Sequence, residues 1–375
     1  MSAPEAPRPE PHRFVVLDSW RGLAALGVAL HHIGGTAPFL NTALHAQLFS
    51  AVDFFFVLSG FVIAASYGER LAHGFPLARF AVLRIGRIWP LHAAMVLVYL
   101  GLELGLLLHG GWGATGREPF SGPRDPVALL PTLLLLQTWF WPDRDLWNVQ
   151  SWSVSVEIAL YCGAALLWRG LGARAYWAAP ILAAAALAAL SLNWGLPTQQ
   201  LRGVAGFGLG MACWPLWQRL QACPVAAVPA TAAEGAVVAL VILALMTAQP
   251  LVLLDPLFAL ALLVFAGEHG LLSRLLLTAP ARWLGTLSYA LYMVHGLVFG
   301  RAFDVLAYVQ ARLGAHWVSS HLGGGDLLML PALPAALVVT GMLALALMVS
   351  WLAWRFVEWP ARALSRRLAA RIGST

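Results

Sequence analysis

The sequence predicts an all-α membrane protein, a polytopic bundle of transmembrane helices. Of its 375 residues, 60% are hydrophobic and only 11% are charged, and the mean hydropathy is +0.75. This composition lies far from that of a soluble globular domain. Apolar runs long enough to cross a bilayer recur from one end of the chain to the other, which leaves no room for a large soluble domain.

About ten apolar segments are candidates for membrane-spanning helices. An eleventh apolar stretch, 127–140, has only 14 residues and contains Pro131, so we expect it to be re-entrant or interfacial. The spanning candidates are 15–35, 51–67, 84–109, 152–168, 175–192, 201–217, 234–249, 251–267, 283–301 and 331–354.

The placement of arginine predicts the orientation. All 23 basic residues are arginine, and with ten spans sixteen of them lie on or near the side that holds both termini, against six on the other side. By the positive-inside rule both termini are cytoplasmic. We expect a disordered cytoplasmic tail over 1–13, a membrane domain over 14–360 and a basic cytoplasmic tail over 361–375. The net charge of +6 fits this rule better than nucleic-acid binding, so the predicted partner is the lipid bilayer.

The first predicted helix carries Arg21 and His32 on an otherwise apolar run. Eleven residues at about 100° each place both on one face, about 16 Å apart along the axis. Ionisable groups inside a membrane helix are costly and usually face a cavity or one another. The pair predicts a site that binds an anion at one depth and performs proton chemistry at another. The alternative for His32 is a structural histidine bonded to a carbonyl group or a tryptophan.

Asp53 begins the second span, ahead of a block of three phenylalanines. Its carboxylate either orients His32 and raises its basicity, or caps the helix and complements the positive helix end, and both roles are compatible. Arg84 and Arg87 are i, i+3 neighbours at the cytoplasmic end of the third span. Paired guanidinium groups suit phosphate recognition, but arginines that anchor the topology have the same spacing, and the spacing alone favours anchors.

Two polar stripes follow helical periodicity. Ser153, Glu157 and Tyr161 recur at i, i+4 and i+8, and Glu157 inside an apolar helix calls for a cation, with His32 and the arginines as candidates. Such stripes either join helices by hydrogen bonds or line a pocket. The second stripe, with steps of four and three residues, consists of Ser288, Tyr292 and His295.

Neither the cysteines nor the glycines of the sixth span indicate a metal or phosphate site. The three cysteines have no metal-ligand spacing, and we predict neither a metal nor a tightly bound cofactor. No Walker-type lysine follows the glycines of the sixth span, so we expect them to permit close helix packing rather than phosphate binding. These glycines are Gly203, Gly206, Gly208 and Gly210.

Six blocks, in order along nearly the whole chain, resemble the acyltransferase-3 family of bacterial integral-membrane O-acetylases. The first holds the family's Arg-x10-His signature, here Arg21 and His32. The others are 53–61, 84–90, 151–161, 285–295 and 354–360.

The resemblance implies transfer of an acyl group, usually acetyl, from cytoplasmic acyl-CoA to a hydroxyl of a carbohydrate or glycoconjugate, often beyond the bacterial inner membrane. It implies that Arg21, Arg84 and Arg87 engage the donor. His32 would be the catalytic centre, supported by Asp53 and Glu157.

We further expect four residues of the two polar stripes to contact substrate. Many relatives carry a C-terminal extracytoplasmic SGNH-type domain, whereas only 15 residues follow Pro360 here, so we expect no second domain. The alternative function is a transporter or flippase for a glycan or acylated lipid, which the arginine doublet and the six ordered blocks disfavour. The four substrate-contacting residues are Ser153, Tyr161, Tyr292 and His295.

Overall fold

A computed structural model describes residues 13–108, 118–221, 226–320 and 326–372. Apart from Arg13, the predicted disordered tail 1–13 lies outside the described residues. The described chain is a helical bundle, and each of the ten predicted spanning segments overlaps one of its long helices. In chain order the helices are α1 (Val15–His31), α2 (Ala43–Gln47), α3 (Ala51–Ile63), α4 (Glu69–Ala72), α5 (Leu77–Leu108), α6 (Leu129–Leu133), α7 (Gln137–Phe140), α8 (Ser151–Leu171), α9 (Ala175–Ser191), α10 (Thr198–Leu220), α11 (Ala227–Met246), α12 (Leu251–Phe265), α13 (Leu271–Leu276), α14 (Ala279–Leu313), α15 (Ala332–Ala353) and α16 (Trp359–Arg371).

Within the described residues, six helical stretches are long and apolar enough to cross a membrane. The helices α1 and α12, with 17 and 15 residues, are shorter than the roughly 20 residues of a typical span, so the count of ten and the sidedness stay predictions. Large apolar side chains are exposed on the outer faces of α5 and α15, among them Leu104, Leu107 and Leu337. A bilayer, rather than water, is the solvent that suits such faces. The chain is an all-α membrane protein.

Two segments lie outside the predicted spanning helices: the stretch 127–140 and the basic C-terminal segment. The stretch 127–140 forms only the short helices α6 and α7, neither of which is long enough to cross a bilayer. The basic segment that the sequence assigned to a tail forms most of α16. This helix packs along α5, and a Cβ at Gly86 would clash with Ser365, so the two helices are in close contact.

One small sheet lies beside the helical bundle. Its strands are β1 (Gly34–Gly35), β2 (Val318–Ser320) and β3 (Asp326–Leu328), in the order β1-β3-β2. Strand β3 pairs in parallel with β1 and antiparallel with β2. The sheet therefore ties the segment that follows α1 to the connection between α14 and α15.

The helix α1 packs along α14 through two glycines. A Cβ at Gly22 would lie 2.6 Å from the backbone nitrogen of Gly285, and a Cβ at Gly285 would clash with the carbonyl group of Asp18. Only glycine permits this backbone approach. The predicted close packing of α10 is confirmed in the same way, because side chains at its four glycines would clash with α3, α8 or α9.

A buried ion pair joins α3 to α10. Arg202 donates from Nε to Oδ1 of Asp53 at 3.0 Å and from Nη2 to Oδ2 at 2.8 Å. The Asp53 side chain is fully buried and that of Arg202 is 12% exposed. Arg202 lies within α10, where the carboxylate neutralises its charge. The guanidinium also lies 5.0 Å from the ring centroid of Trp152 on α8.

We predict that Gly285→Ala lowers the free energy of unfolding in detergent by about 1–3 kcal/mol, because the added methyl group forces α1 and α14 apart. Gly101→Ala is the matched control, since a Cβ at this helical glycine meets nothing within 4 Å. The control should be neutral or slightly stabilising. Equal stability of the two variants would contradict the close approach.

We predict that Asp53→Ala and Arg202→Ala each lower the free energy of unfolding by about 3–5 kcal/mol, because each leaves a buried charge without its partner. The double variant should cost clearly less than the sum of the two. Arg301→Ala is the control, because Arg301 pairs with Asp304 at the same 2.8 Å but is 51% exposed. Its loss should cost less than about 1 kcal/mol. Additive effects of the first two substitutions would contradict a coupled pair.

Candidate active site

A narrow cavity of about 80 Å³, the inner cavity, lies between α1, α3, α5, α8 and α14. Its wall joins arginine side chains with hydroxyl groups and apolar side chains. Seven of the ten predicted site residues line it, and the structure thus brings together polar groups from four helices. These seven are Arg21, Arg84, Arg87, Ser153, Glu157, Tyr161 and Tyr292.

The arginines at one end of the inner cavity, its arginine end, are poorly neutralised. Arg84 donates from Nη2 to the Tyr67 hydroxyl at 2.8 Å, and its buried Nε has no hydrogen-bond partner. Arg21 Nη1 lies 3.7 Å from Oδ1 of Asp18. Within the described part of the chain, neither Arg84 nor Arg87 has a carboxylate oxygen within 4.0 Å. Their charge faces the cavity instead, which favours anion binding over a purely anchoring role.

Glu157 binds hydroxyl groups rather than the cation that the sequence predicted beside it. Its Oε1 accepts hydrogen bonds from Ser59 and, at 2.5 Å, from the Tyr161 hydroxyl. The Ser59 and Tyr161 hydroxyls are themselves 2.9 Å apart. Arg21 is near enough to interact with Glu157 electrostatically but does not pair with it. Glu157 therefore fixes the Ser59 and Tyr161 hydroxyl groups in the cavity wall, and its negative charge partly offsets the positive charge of the arginines.

The stripe on α14 connects the inner cavity to a pair of histidines. The Tyr292 hydroxyl lies 2.7 Å from Oγ of Ser153. The ring centroid of Tyr292 is 6.0 Å from that of His295. The ring of His295 lies 4.9 Å from that of His32. Arg21 lines the inner cavity together with Ser288 of α14, and His32, the residue that follows α1, lies against His295 of the same helix, as expected for two residues on one face. Tyr292 stands between the cavity and the His32–His295 pair.

Hydrogen bonds set the tautomer of both histidines. His32 Nδ1 lies 2.8 Å from the carbonyl oxygen of Val28, and His295 Nδ1 lies 3.0 Å from that of Leu291. Because a carbonyl oxygen only accepts, Nδ1 carries the proton in both rings, and Nε2 of the neutral ring keeps its lone pair. Nε2 of His295 is buried and has no partner. Each ring thus presents an unused base at the same end of α1.

Asp53 does not contact this histidine pair. Both of its oxygens bind Arg202, which corrects the interpretation that its carboxylate orients His32. It lies in the first turn of α3, where a negative charge complements the helix dipole. Asp145, in the loop between α7 and α8, is near enough to His32 to interact with it electrostatically. Burial raises the pKa of the Asp145 carboxyl group, and the neighbouring His32 opposes this shift.

Sequence reasoning missed two polar residues of the site, Ser59 at the inner cavity and Asp145 near His32. Ser59 has a local signal, since it is a lone hydroxyl in an apolar helix. Asp145 has none, because it lies in a loop without periodicity. Within the described residues, no group of three or more His, Cys, Asp or Glu side chains is arranged to hold a metal ion.

Comparison with known proteins places this arrangement in a family. The family model described as an acyltransferase domain, acyltransferase-3, matches residues 14–355. The chain is 29% identical over 223 residues to "Acyltransferase MdmB" of Streptomyces mycarofaciens, a match that covers 54% of each protein. It is 40% identical over 86 residues to "Protein 2 in picA locus" of Rhizobium radiobacter, covering 22% of this chain and 41% of that protein.

The chain thus spans only about half the length of the curated relatives it matches. No solved structure matches it. The family match covers the arginines, the histidine pair and all the helices that line the inner cavity. The chain belongs to the acyltransferase-3 family.

Proposed function

We propose that this protein is an acyl-CoA-dependent O-acyltransferase of the bacterial inner membrane. It moves an acyl group, acetyl in the first instance, from cytoplasmic acyl-CoA to a hydroxyl of a carbohydrate or glycoconjugate. The observation that carries the proposal is the inner cavity itself, which has under-neutralised arginines at one end and reaches Tyr292, whose ring lies 6.0 Å from that of His295 and so next to the His32–His295 pair.

The arginine end is suited to the donor. Buried guanidinium groups without carboxylate partners are costly in a helical bundle, and an anionic ligand removes that cost. Phosphate groups match the planar, multiply donating guanidinium group. Arg21, Arg84 and Arg87 therefore hold the charged part of acyl-CoA on the cytoplasmic side, as the arginine-based topology predicts.

The far end of the inner cavity is suited to acyl transfer. Ser153 and Tyr292 line the path that brings the thioester towards the histidines, and Tyr161 shapes it through Glu157. In direct transfer, Nε2 of His32 takes the proton of the acceptor hydroxyl while the hydroxyl oxygen attacks the thioester carbon. The carbon–sulfur bond then breaks, and the CoA thiolate leaves and regains a proton. In relayed transfer, His32 Nε2 itself attacks the thioester carbon, the carbon–sulfur bond breaks and CoA leaves as the thiolate. The acceptor hydroxyl then attacks the acyl carbon, the carbon–nitrogen bond breaks, and the hydroxyl proton neutralises the thiolate.

Two residues support His32 without being placed to react with the donor. His295 packs against its ring at 4.9 Å and restricts where that ring can turn. Asp145 stabilises positive charge on His32 when the ring takes up a proton. Because Asp145 lies in the loop that precedes α8, this end of the site faces the extracytoplasmic side in the predicted topology, where the acceptor would enter.

We predict that membranes carrying the wild-type protein release CoA from acetyl-CoA when a glycan acceptor is present, and that His32→Ala reduces this turnover at least about 100-fold, since general base catalysis contributes about that much. His73→Ala is the matched control. His73 has the same Nδ1 contact to a carbonyl four residues earlier, at 2.7 Å, but it lines neither the inner cavity nor the histidine pair.

The measurement follows free CoA and labelled acetyl-glycan together, at matched expression of the three proteins. Equal turnover by wild type and His32→Ala would make His32 a structural histidine. Absence of acetyl-CoA-dependent product with the wild type, across the acceptors tried, would instead favour a transporter or flippase. That function should show no stabilisation of the purified protein by CoA.

A further inference from the structure

A second cavity adjoins the arginine end of the inner cavity. We call it the outer cavity; its volume is about 350 Å³, several times that of the inner one. The two cavities share part of their walls, so a single elongated ligand could occupy both. The shared residues are Arg21, Leu58, Val62, Arg87, Ser288 and Tyr289.

The wall of the outer cavity carries more positive than negative charge. Its carboxylates are already engaged, because Asp18 lies 3.1 Å from Nε of Arg13 and Glu358 lies 3.2 Å from Nη1 of Arg362. The wall thus contains four arginines but only two carboxylates, and the excess positive charge lies where the two cavities meet. These arginines are Arg13, Arg21, Arg87 and Arg362.

Arg362 is supplied by α16, the helix that the sequence analysis treated as a basic tail. Glu358 is 1% exposed, and its Oε1 lies 3.2 Å from Nη1 of Arg362, whose guanidinium group has further N–H donors for a ligand. Contact between Ser365 and Gly86 fixes α16 against α5. Arg362 therefore has a fixed place in the cavity wall, because α16 is packed against α5, whereas an arginine on a loose surface tail would be free to move.

Irregular helix geometry marks the same place. The chain forms one stretch of π-helix over Ala64–Gly68, after α3, and another over Trp354–Glu358, before α16. Both stretches contribute to the outer cavity, through Ala65 and Ser66 in the first and Glu358 in the second. Single π-helical turns inside α-helices are rare and are frequently found at functional sites. Two of them at one cavity point to a ligand site.

We propose that the outer cavity binds the 3′-phosphorylated ADP end of acyl-CoA and that Arg362 is one of its phosphate ligands. This assignment rests on the proposed function. It matches the two parts of the donor to the two cavities: the bulky, anionic nucleotide lies in the wide outer cavity and against the arginine end that the inner cavity shares with it, and the slender, uncharged pantetheine arm continues along the rest of the narrow inner cavity. The thioester then approaches Tyr292 and the histidine pair.

The test compares two donors on the purified, full-length protein in a detergent free of anionic lipid. Acetyl-CoA has the nucleotide end, and S-acetylpantetheine lacks it. Arg362→Gln should lower kcat/KM for acetyl-CoA by about 10- to 100-fold, the effect of losing a charge-assisted hydrogen bond, and should leave kcat/KM for S-acetylpantetheine within about twofold. Adenosine 3′,5′-bisphosphate should compete with acetyl-CoA and bind the variant more weakly.

Two further variants make the test specific. Arg366→Gln removes an exposed arginine one turn further along α16 and should change neither donor's kinetics. Arg362→Lys keeps the positive charge and should recover part of the acetyl-CoA activity.

Several outcomes would overturn the assignment. Equal slowing of both donors by Arg362→Gln would show that Arg362 only supports the fold, and no slowing of either would show that it does not contact the donor. Equal use of the two donors by the wild type would show that the nucleotide end is not recognised. These results leave the proposed function intact, whereas a wild type that uses neither donor overturns that function and this assignment together.

Discussion

The close approach of α1 and α14 at Gly22 and Gly285 is the constraint on which the site depends. Two helix backbones that touch at this point are held in a fixed register, so each turn of α1 faces a defined turn of α14. Arg21 therefore meets the inner cavity beside Ser288, and three turns later His32 meets His295. A larger residue at either glycine would separate the helices and move both ends of the site at once. The arginines and the histidines are thus two ends of one helix–helix interface.

Electrostatics separate the parts of the bundle that provide stability from the part that binds a ligand. Between α3 and α10 the buried charge of Arg202 is fully matched by both oxygens of Asp53. At the inner cavity Arg84 and Arg87 have no such match, and Glu157 is occupied by hydroxyl groups. Charge left unpaired in a low-dielectric interior is costly, and an anion bound at the arginine end would remove that cost. This contrast supports a donor site at the arginine end.

The sequence predicted those features that helical periodicity determines. Residues on one helix at spacings of three, four or eleven share a face wherever the helix packs. The sequence therefore predicted the stripe on α8, the stripe on α14 and the common face of Arg21 and His32. Contacts between helices depend on which helices are neighbours, which a single sequence does not reveal. The sequence therefore offered His32 or the helix end as partners of Asp53 and did not identify Arg202, and the contribution of Arg362 was overlooked. Asp145 lies in a loop, where no periodic pattern exists to identify it.

The central claim is that the arginine end of the cavity is an acyl-CoA site, and equilibrium binding to the purified protein tests it most directly. Titration with acetyl-CoA in the absence of any acceptor should show one site per chain, with an affinity that falls by about 10- to 100-fold in Arg87→Gln, as expected for loss of a charge-assisted contact. Arg301→Gln, which removes an exposed arginine outside the cavity, should bind as the wild type does. Failure of the wild type to bind acetyl-CoA, or unchanged affinity in Arg87→Gln, would contradict the claim.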